Sequence, residues 1–412
     1  MTGNLIIRNI KKLFLASDRT LPCKGGEEQA NVPVIDNAYL LIEDGKISSF
    51  GPDNEAPEIR FPKLDATERF ILPSWVDSHT HLVSAKSREE EFVDKIKGLS
   101  YEEIAERGGG ILNSARTLER TSEDELFIGA WHRLTEIIGM GTGAVEIKSG
   151  YGLSYESELK MLRVIKRLKE KSPIPIKATF LGAHAYPMEY RNDHNAYIDI
   201  IVDQMLPDIA AEDLADYIDV FCDRGFFSPE ETGRILEAGA KYGLKPKIHA
   251  NELDYSGGVQ VGVKHGAISV DHLECVGPEE LSALKGSSTV ATLLPSTAFF
   301  LGIDYAPARD IIDYGVPVAI ASDYNPGSSP SGNMPFVVSL SCIQMKMLPE
   351  EALRAATLHG AYALEMENEL GSVTPGKWAN LILTKKVPSL AFLPYSFGSD
   401  WIEKVVIKGK VQ

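Results

Sequence analysis

Cysteine is scarce in this chain: four residues in 412, Cys23, Cys222, Cys275 and Cys342, with no CxxC pair. That excludes a disulfide-framed scaffold and points to a reducing, cytoplasmic setting. Long apolar runs are missing as well. No stretch approaches the ~20 apolar residues of a membrane span, and residues 1–14 hold no apolar core of signal-peptide length. Positive charge is in deficit, with 42 Lys and Arg against 58 Asp and Glu and a formal net charge of −16. Such a surface repels nucleic acid and anionic lipid headgroups, so neither is expected as a partner. An anionic substrate would be repelled too, unless a local cation captures it.

What is present suits a large α/β domain with a smaller one attached. Apolar residues make up 44% of the chain, enough for a sizeable core. Near the start, short β-type runs such as Leu5-Ile6-Ile7 and Tyr39-Leu40-Leu41-Ile42 are separated by turn residues, Glu43-Asp44-Gly45-Lys46 among them. The end reads alike, with Ala379 to Leu383 and Trp401 to Val411 as strands. We expect residues 1–68 and 369–412 to form one small β-sandwich domain, because chain termini often lie close together. Between them, over 69–368, eight apolar runs alternate with helix-like stretches: residues 71–76, 143–147, 176–181, 218–221, 246–249, 267–270, 289–294 and 316–321. Helical spacing is clear over 156–171 and 229–242. This alternation predicts a (β/α)8 TIM-like barrel, whose chemistry sits just past the C-terminal end of each strand.

Metal-binding residue types follow the predicted strands. Asp77-Ser78-His79-Thr80-His81 comes after the first run, and residues two apart on a strand face the same way. His249 follows the fifth run, His272 the sixth and Asp323 the eighth. Three neutral imidazoles from this set and one carboxylate make a ligand set suited to zinc or divalent iron. An HxH pair alone is weak evidence, since a strand-end histidine is more often a hydrogen-bonded structural residue; agreement at four strand ends is what carries the reading. His132, His194, His265 and His359 lack such partners and are read as structural. Two decoys are set aside. Residues 371–378 mimic a phosphate loop without its Ser/Thr, and Ser328 and Ser329 lie in no GxSxG elbow.

The chain resembles the imidazolonepropionases of histidine degradation over nearly its whole length. The most specific segments are His79-Thr80-His81-Leu82-Val83, residues 87–92 (Ser-Arg-Glu-Glu-Glu-Phe), residues 108–112 (Gly-Gly-Gly-Ile-Leu), residues 148–153 (Lys-Ser-Gly-Tyr-Gly-Leu), residues 179–184 (Thr-Phe-Leu-Gly-Ala-His) and residues 322–329 (Ser-Asp-Tyr-Asn-Pro-Gly-Ser-Ser). The resemblance implies one divalent metal held by His79, His81, His249 and Asp323, zinc first and iron as the alternative. It implies substrate contacts from Arg88, Tyr151, His184, Glu252, Asn325, Gly327 and Ser328. Ser84 and Lys86 stand where family members usually carry an aromatic residue and a glycine, and Asn251 where an aspartate is usual; these flank the functional positions without replacing any.

The reaction implied is hydrolysis of the ring amide of 4-imidazolone-5-propanoate to N-formimidoyl-L-glutamate by a metal-activated water. Glu252, three residues after His249, is expected as general base and as the acid that protonates the leaving nitrogen. Asp323 is expected to share in proton shuttling, His272 to orient the water or the attacked group, and His184 to polarise the carbonyl. Arg88 supplies the cation for a small anionic heterocyclic substrate; otherwise it is a surface arginine paired with Glu89 or Glu90. After the fourth run the chain reads Phe221-Cys222-Asp223-Arg224, without the lysine of binuclear relatives, so one metal is expected. The assembly expected is a homodimer. Two other readings remain: a deaminase of a heterocycle, which would not need Arg88, and a non-catalytic scaffold, which would not keep the metal.

Overall fold

The computed structural model describes residues 3–16, 23, 25–99, 103, 107 and 109–412; Gly108 of the glycine run lies outside them. The chain opens with β1 (Leu5–Phe14), β2 (Val34–Glu43), β3 (Lys46–Pro52), β4 (Lys63–Asp65) and β5 (Phe70–Pro73). Between β2 and β3, Asp44 and Gly45 both have positive φ, 50° and 80°, as a tight hairpin turn requires. Eight parallel strands follow in sequence order: β6 (Trp75–Asp77), β7 (Thr142–Lys148), β8 (Ile176–Ala183), β9 (Tyr217–Cys222), β10 (Lys245–Ala250), β11 (Ser269–His272), β12 (Val290–Leu293) and β13 (Val318–Ile320). The last three, β14 (Leu381–Thr384), β15 (Ile402–Ile407) and β16 (Lys410–Val411), rejoin the first sheet through β14, which pairs with β5. The TIM-like barrel and a separate sheet built from both chain ends are therefore both present. Among the described residues no helix is long and apolar enough to cross a membrane.

The eight apolar runs all become strands, with one difference. Residues 71–76, expected as one barrel strand, are divided between the sheets. Phe70–Pro73 pairs with β1 and β14, and the barrel begins only at Trp75. Pro73 has no N–H to give a ladder; beyond it the Ser74 N–H donates to Asn380 O at 3.0 Å and the Trp75 N–H to Gly141 O at 2.9 Å, so the pairing partner changes within two residues. The helices expected over 156–171 and 229–242 form as Tyr155–Lys171 and Pro229–Ala240. The second starts with Ser228 and Glu231 bonding reciprocally across the first turn and Pro229 just inside it. Each apolar face packs inward, leaving a core that runs from Trp75 and Val145 through Ile248 to Ile320. The terminal sheet gathers its own core from Ile7, Leu40, Ile71, Leu381 and Val406.

Among the described residues β6 and β13 share no strand ladder. The barrel closes one step beyond them. The Asp323 N–H donates to His79 O and the His81 N–H to Tyr324 O, both at 3.0 Å. Below that, the buried Asp77 carboxylate accepts from the Ser322 N–H at 3.0 Å and the Ser322 hydroxyl at 2.5 Å. The seam of the barrel is thus the segment pair that carries His79, His81 and Asp323. Replacing Asp77 by Ala leaves two buried Ser322 donors without an acceptor, which costs ~1–3 kcal/mol. Denaturant titration of Asp77→Ala should show a loss of that order, and an unchanged midpoint would mean the clamp does not hold the seam.

Candidate metal centre and substrate cavity

Strand geometry places the histidines on one side. His79 and His81 project from the segment after β6, His249 from β10, and Asp323 from the segment after β13. All four are buried. Asp323 Oδ1 lies 3.5 Å from both His79 Nε2 and His81 Nε2, and His249 Nε2 lies 3.4 Å from His81 Nε2. The ligating atoms of His79, His81 and His249 are all within 4.8 Å of one another. A tetrahedral ion with metal–nitrogen bonds of about 2.0–2.1 Å needs ligand–ligand edges of about 3.3–3.4 Å. The donor set therefore suits a small divalent cation. His79 Nε2 is buried without a hydrogen-bond partner, a state that a bare imidazole nitrogen rarely keeps in a dry interior. Burial first, then neighbouring positive groups, hold His79 and His81 well below the usual imidazole range, so both are neutral and able to ligate.

The far sides of His79, His249 and Asp323 each face a group that sequence reading did not single out, whereas His81 Nδ1 is buried without a partner. His79 Nδ1 donates to Asp271 Oδ2 at 2.6 Å, and His249 Nδ1 stands 3.0 Å from Asp219 Oδ2. Asp323 Oδ2 accepts from Thr297 Oγ1 at 2.6 Å, which leaves Oδ1 to face the histidines. The chain turns sharply beside these groups: Asn251, His272 and Asp323 have φ of 56°, 84° and 53°, left-handed conformations that cost of order 1–3 kcal/mol each outside glycine. At Asn251, where an aspartate is usual among the relatives it resembles, the side-chain amide donates to Cys275 O at 3.0 Å. A carboxylate could not make that bond, so this departure acts on loop structure and does not reach the cavity.

A cavity of about 450 Å³ opens above this cluster and is lined by His81, His249, Asp323, Glu252, His272 and His184, and on its far wall by Arg88. Tyr151, Asn325, Gly327 and Ser328 also line it, as do Glu91 and Lys95. Every substrate contact expected from the sequence therefore meets in one space, with His79 beneath it. Burial raises Glu252 to about 7, against the opposing pull of His272. Burial alone would lower His272, but the carboxylates of Glu252 and Glu274, each 3.7 Å from its Nδ1, raise it to about 10. His184 is neutral, pushed down to about 3 by burial and by His249. Its Nδ1 donates to Gly150 O at 2.9 Å, so its Nε2 carries a lone pair.

Arg88 makes no ion pair with Glu89 or Glu90. Its Nε donates to Ser114 Oγ at 3.0 Å, its guanidinium lies 5.6 Å from the Tyr151 ring centre, and one terminal nitrogen is buried without a partner. Among the described residues it meets no carboxylate. Gly327 makes room for it, since a Cβ there would lie 2.6 Å from Arg88 Nη1. Asn325 Oδ1 accepts from the N–H groups of Gly327 and Ser328, both at 2.8 Å, and so shapes that loop. The Tyr151 turn is pinned from behind by buried Glu158, which accepts from the N–H groups of Gly150, Gly152 and Leu153 at 3.0, 2.7 and 3.0 Å. Sequence reading missed Glu158, Thr297, Asp219 and Asp271. The available signal for the two aspartates was a charge inside an apolar strand run, an uncommon place for an unpaired acid. The four histidines read as structural stand outside the cavity; His359 Nδ1, for example, donates to Val318 O at 2.9 Å.

Comparison with known proteins agrees with this architecture. A family model described as the amidohydrolase family matches residues 70–412. An imidazolonepropionase of Christiangramia forsetii is 53% identical over 408 residues, covering 99% of both chains. One from Flavobacterium psychrophilum is 55% identical over 98% of this chain and 99% of its own, and one from Geobacillus kaustophilus is 40% identical over 99% and 97%. In fold the chain is similar to a triazine hydrolase variant, TM-score 0.75 at 17% identity over 99% of this chain and 94% of that one. It is also similar in fold to a zinc-bound adenosine deaminase from Xanthomonas campestris, TM-score 0.68 at 16% identity over 99% and 92%. With full-length identity of this order, and with His81, His249, Asp323, Glu252 and Arg88 gathered in one cavity, the chain belongs to the imidazolonepropionase family of amidohydrolases.

Proposed function

We propose that this chain hydrolyses the ring amide of 4-imidazolone-5-propanoate to N-formimidoyl-L-glutamate, with one divalent metal held by His79, His81, His249 and Asp323. One observation carries the reading: an arginine that pairs with no carboxylate among the described residues shares a cavity with the histidine cluster. Zinc is the first candidate for the ion and iron the second. Bound there, the ion would supply Lewis-acid activation of water and of the amide carbonyl.

The chain's own residues supply the rest. Arg88 binds the propionate through its planar fork of donors, a local cation in an otherwise acidic protein, with Lys95 lining the same cavity. Glu252, raised toward neutrality by burial, takes a proton from the attacking water. As the new carbon–oxygen bond forms and the ring carbon–nitrogen bond breaks, Glu252 returns the proton to the leaving nitrogen. Protonated His272 faces Glu252 and steadies its charge. The Nδ1–H of His184 is committed to Gly150, so we assign its Nε2 to accept from a ring N–H of the substrate, in place of polarising the carbonyl. Tyr151 and the Asn325–Ser328 loop close the cavity around the ring.

Metal analysis of the purified protein should find one equivalent per chain, and His79→Ala or Asp323→Ala should lose both metal and turnover; two equivalents, or full activity without metal, would overturn the single-ion reading. Glu252→Gln should keep metal and fold while kcat falls by about 10²–10⁴-fold, the usual cost of losing a general acid–base group. Near-normal turnover would mean that Glu252 is not the base.

The decisive assay follows loss of authentic 4-imidazolone-5-propanoate. Breaking one side of a buried charge pair costs ~2–5 kcal/mol, so Arg88→Ala should lower kcat/KM by roughly 30-fold or more with metal content unchanged. Arg88→Lys should recover part of that, because an ammonium lacks the planar fork. Equal rates for parent and Arg88→Ala would refute carboxylate capture by Arg88. A metal-loaded parent that leaves this substrate intact would favour deamination of another heterocycle.

A further inference from the structure

The barrel interior beneath the histidines is charged. Glu146 and Lys148 point inward from β7, Asp219 from β9, Lys247 from β10 and Asp271 from β11, and all five are buried. Lys148 is at the centre. Its Nζ lies 2.8 Å from Glu146 Oε1, 2.7 Å from Asp219 Oδ2 and 3.7 Å from Asp271 Oδ2. Those last two oxygens are the ones that meet the ligands: Asp219 Oδ2 stands 3.0 Å from His249 Nδ1, and Asp271 Oδ2 accepts from His79 Nδ1 at 2.6 Å.

We propose that Lys148 is a positioning residue that sets the orientation of two metal ligands at once. This rests on the metal reading above. Asp219 is fixed further by the His249 N–H at 3.1 Å to its Oδ1, and Asp271 by Ser269 Oγ at 2.5 Å to its Oδ1, but among the described residues only Lys148 forms an ion pair with both. In a dry interior two aspartates this near one ammonium would repel each other without it. A carboxylate accepts and does not donate. Asp271, bonded to His79 Nδ1, keeps that imidazole's proton there and turns its Nε2 lone pair toward the shared centre; Asp219, 3.0 Å from His249 Nδ1, favours the same tautomer by its charge. Lys247 pairs with Glu146 and donates to Ser78 O at 2.9 Å; its charge also steadies Asp271, but it makes no ion pair with either aspartate.

The test uses the full chain, stripped of metal, with Zn²⁺ as probe in competition with a coloured chelator. Lys148→Met should bind Zn²⁺ 10–100-fold more weakly than the parent, the usual loss when the groups behind metal ligands are disturbed. The rise in Tm that saturating Zn²⁺ gives the parent should shrink with it. A lower Tm for the stripped variant with an unchanged Zn²⁺ affinity would mean a purely structural lysine and would overturn the proposal. A parent that binds no Zn²⁺ would instead defeat the metal reading itself. A second measurement needs no variant: ¹⁵N NMR of imidazole nitrogens in the stripped parent should find His79 and His249 protonated at Nδ1. Protonation of either at Nε2 would overturn the proposal even if Lys148→Met does not fold.

Discussion

Everything at the centre of this molecule depends on a layer of charge sealed inside a barrel. Such barrels are ordinarily filled by branched apolar side chains. Here Glu146, Lys148, Asp219, Lys247 and Asp271 occupy the space, none more than 1% exposed. Desolvating ions costs several kcal/mol each and is offset only by close geometry and full hydrogen bonding. The contacts meet that demand: Lys148 Nζ and Lys247 Nζ sit within 2.5–2.9 Å of oxygen partners on Glu146, Asp219 and Ser78. Three acidic and two basic side chains thus share the layer, with Asp323 and the histidine cluster above it.

The closure of the barrel and the formation of this cluster are one event. The first and last barrel strands meet through the Asp323 N–H to His79 O bond and the His81 N–H to Tyr324 O bond, so the backbone that closes the seam also carries three of the four proposed ligands. The left-handed backbone at Asp323, His272 and Asn251 is tolerated because surrounding bonds over-determine it, among them Ser322 to Asp77 and Asn251 to Cys275. Rigidity on this floor contrasts with loops above it that supply recognition. Glu158 grips the Tyr151 turn from beneath, and Asn325 holds the Gly327–Ser328 backbone against Arg88. In this arrangement the proposed metal side is built at the ends of the strands and the proposed substrate side from the loops beyond them, as is usual when one scaffold is adapted to a particular ligand.

Electrostatics sorts the two ends of the cavity. The chain is acidic overall, so its long-range field opposes an anionic substrate. Arg88 answers locally: its Nε is committed to Ser114 and one terminal nitrogen is left buried and unpaired, directed to the same cavity as Glu252 and His272. Opposite it lie groups whose states diverge through their surroundings. Burial lifts Glu252 to about 7 and drops His184 to about 3, while two carboxylates lift His272 to about 10. One side of the cavity thus offers a cation, and the other offers a proton acceptor beside the proposed metal.

The sequence by itself determined the barrel and the strand-end histidines with Asp323, while the other cavity residues were legible through resemblance to a family. Apolar runs at regular spacing, each followed by a helical pattern, leave few other ways to bury their surface, and an HxH pair with His249 and Asp323 at strand ends is readable because strand periodicity and barrel topology are local rules. It did not determine that Pro73 ends one sheet and Trp75 begins another, since that depends on which partner, Asn380 or Gly141, reaches the chain there. Nor did it reveal that Lys148, Asp219 and Asp271, from three different strands, share one buried contact, or that Ser114 and Gly327 frame Arg88. A charged residue inside an apolar run reads the same whether it is stranded or paired. Only the closed barrel, by bringing residues from well-separated strands within 4 Å, decides between the two.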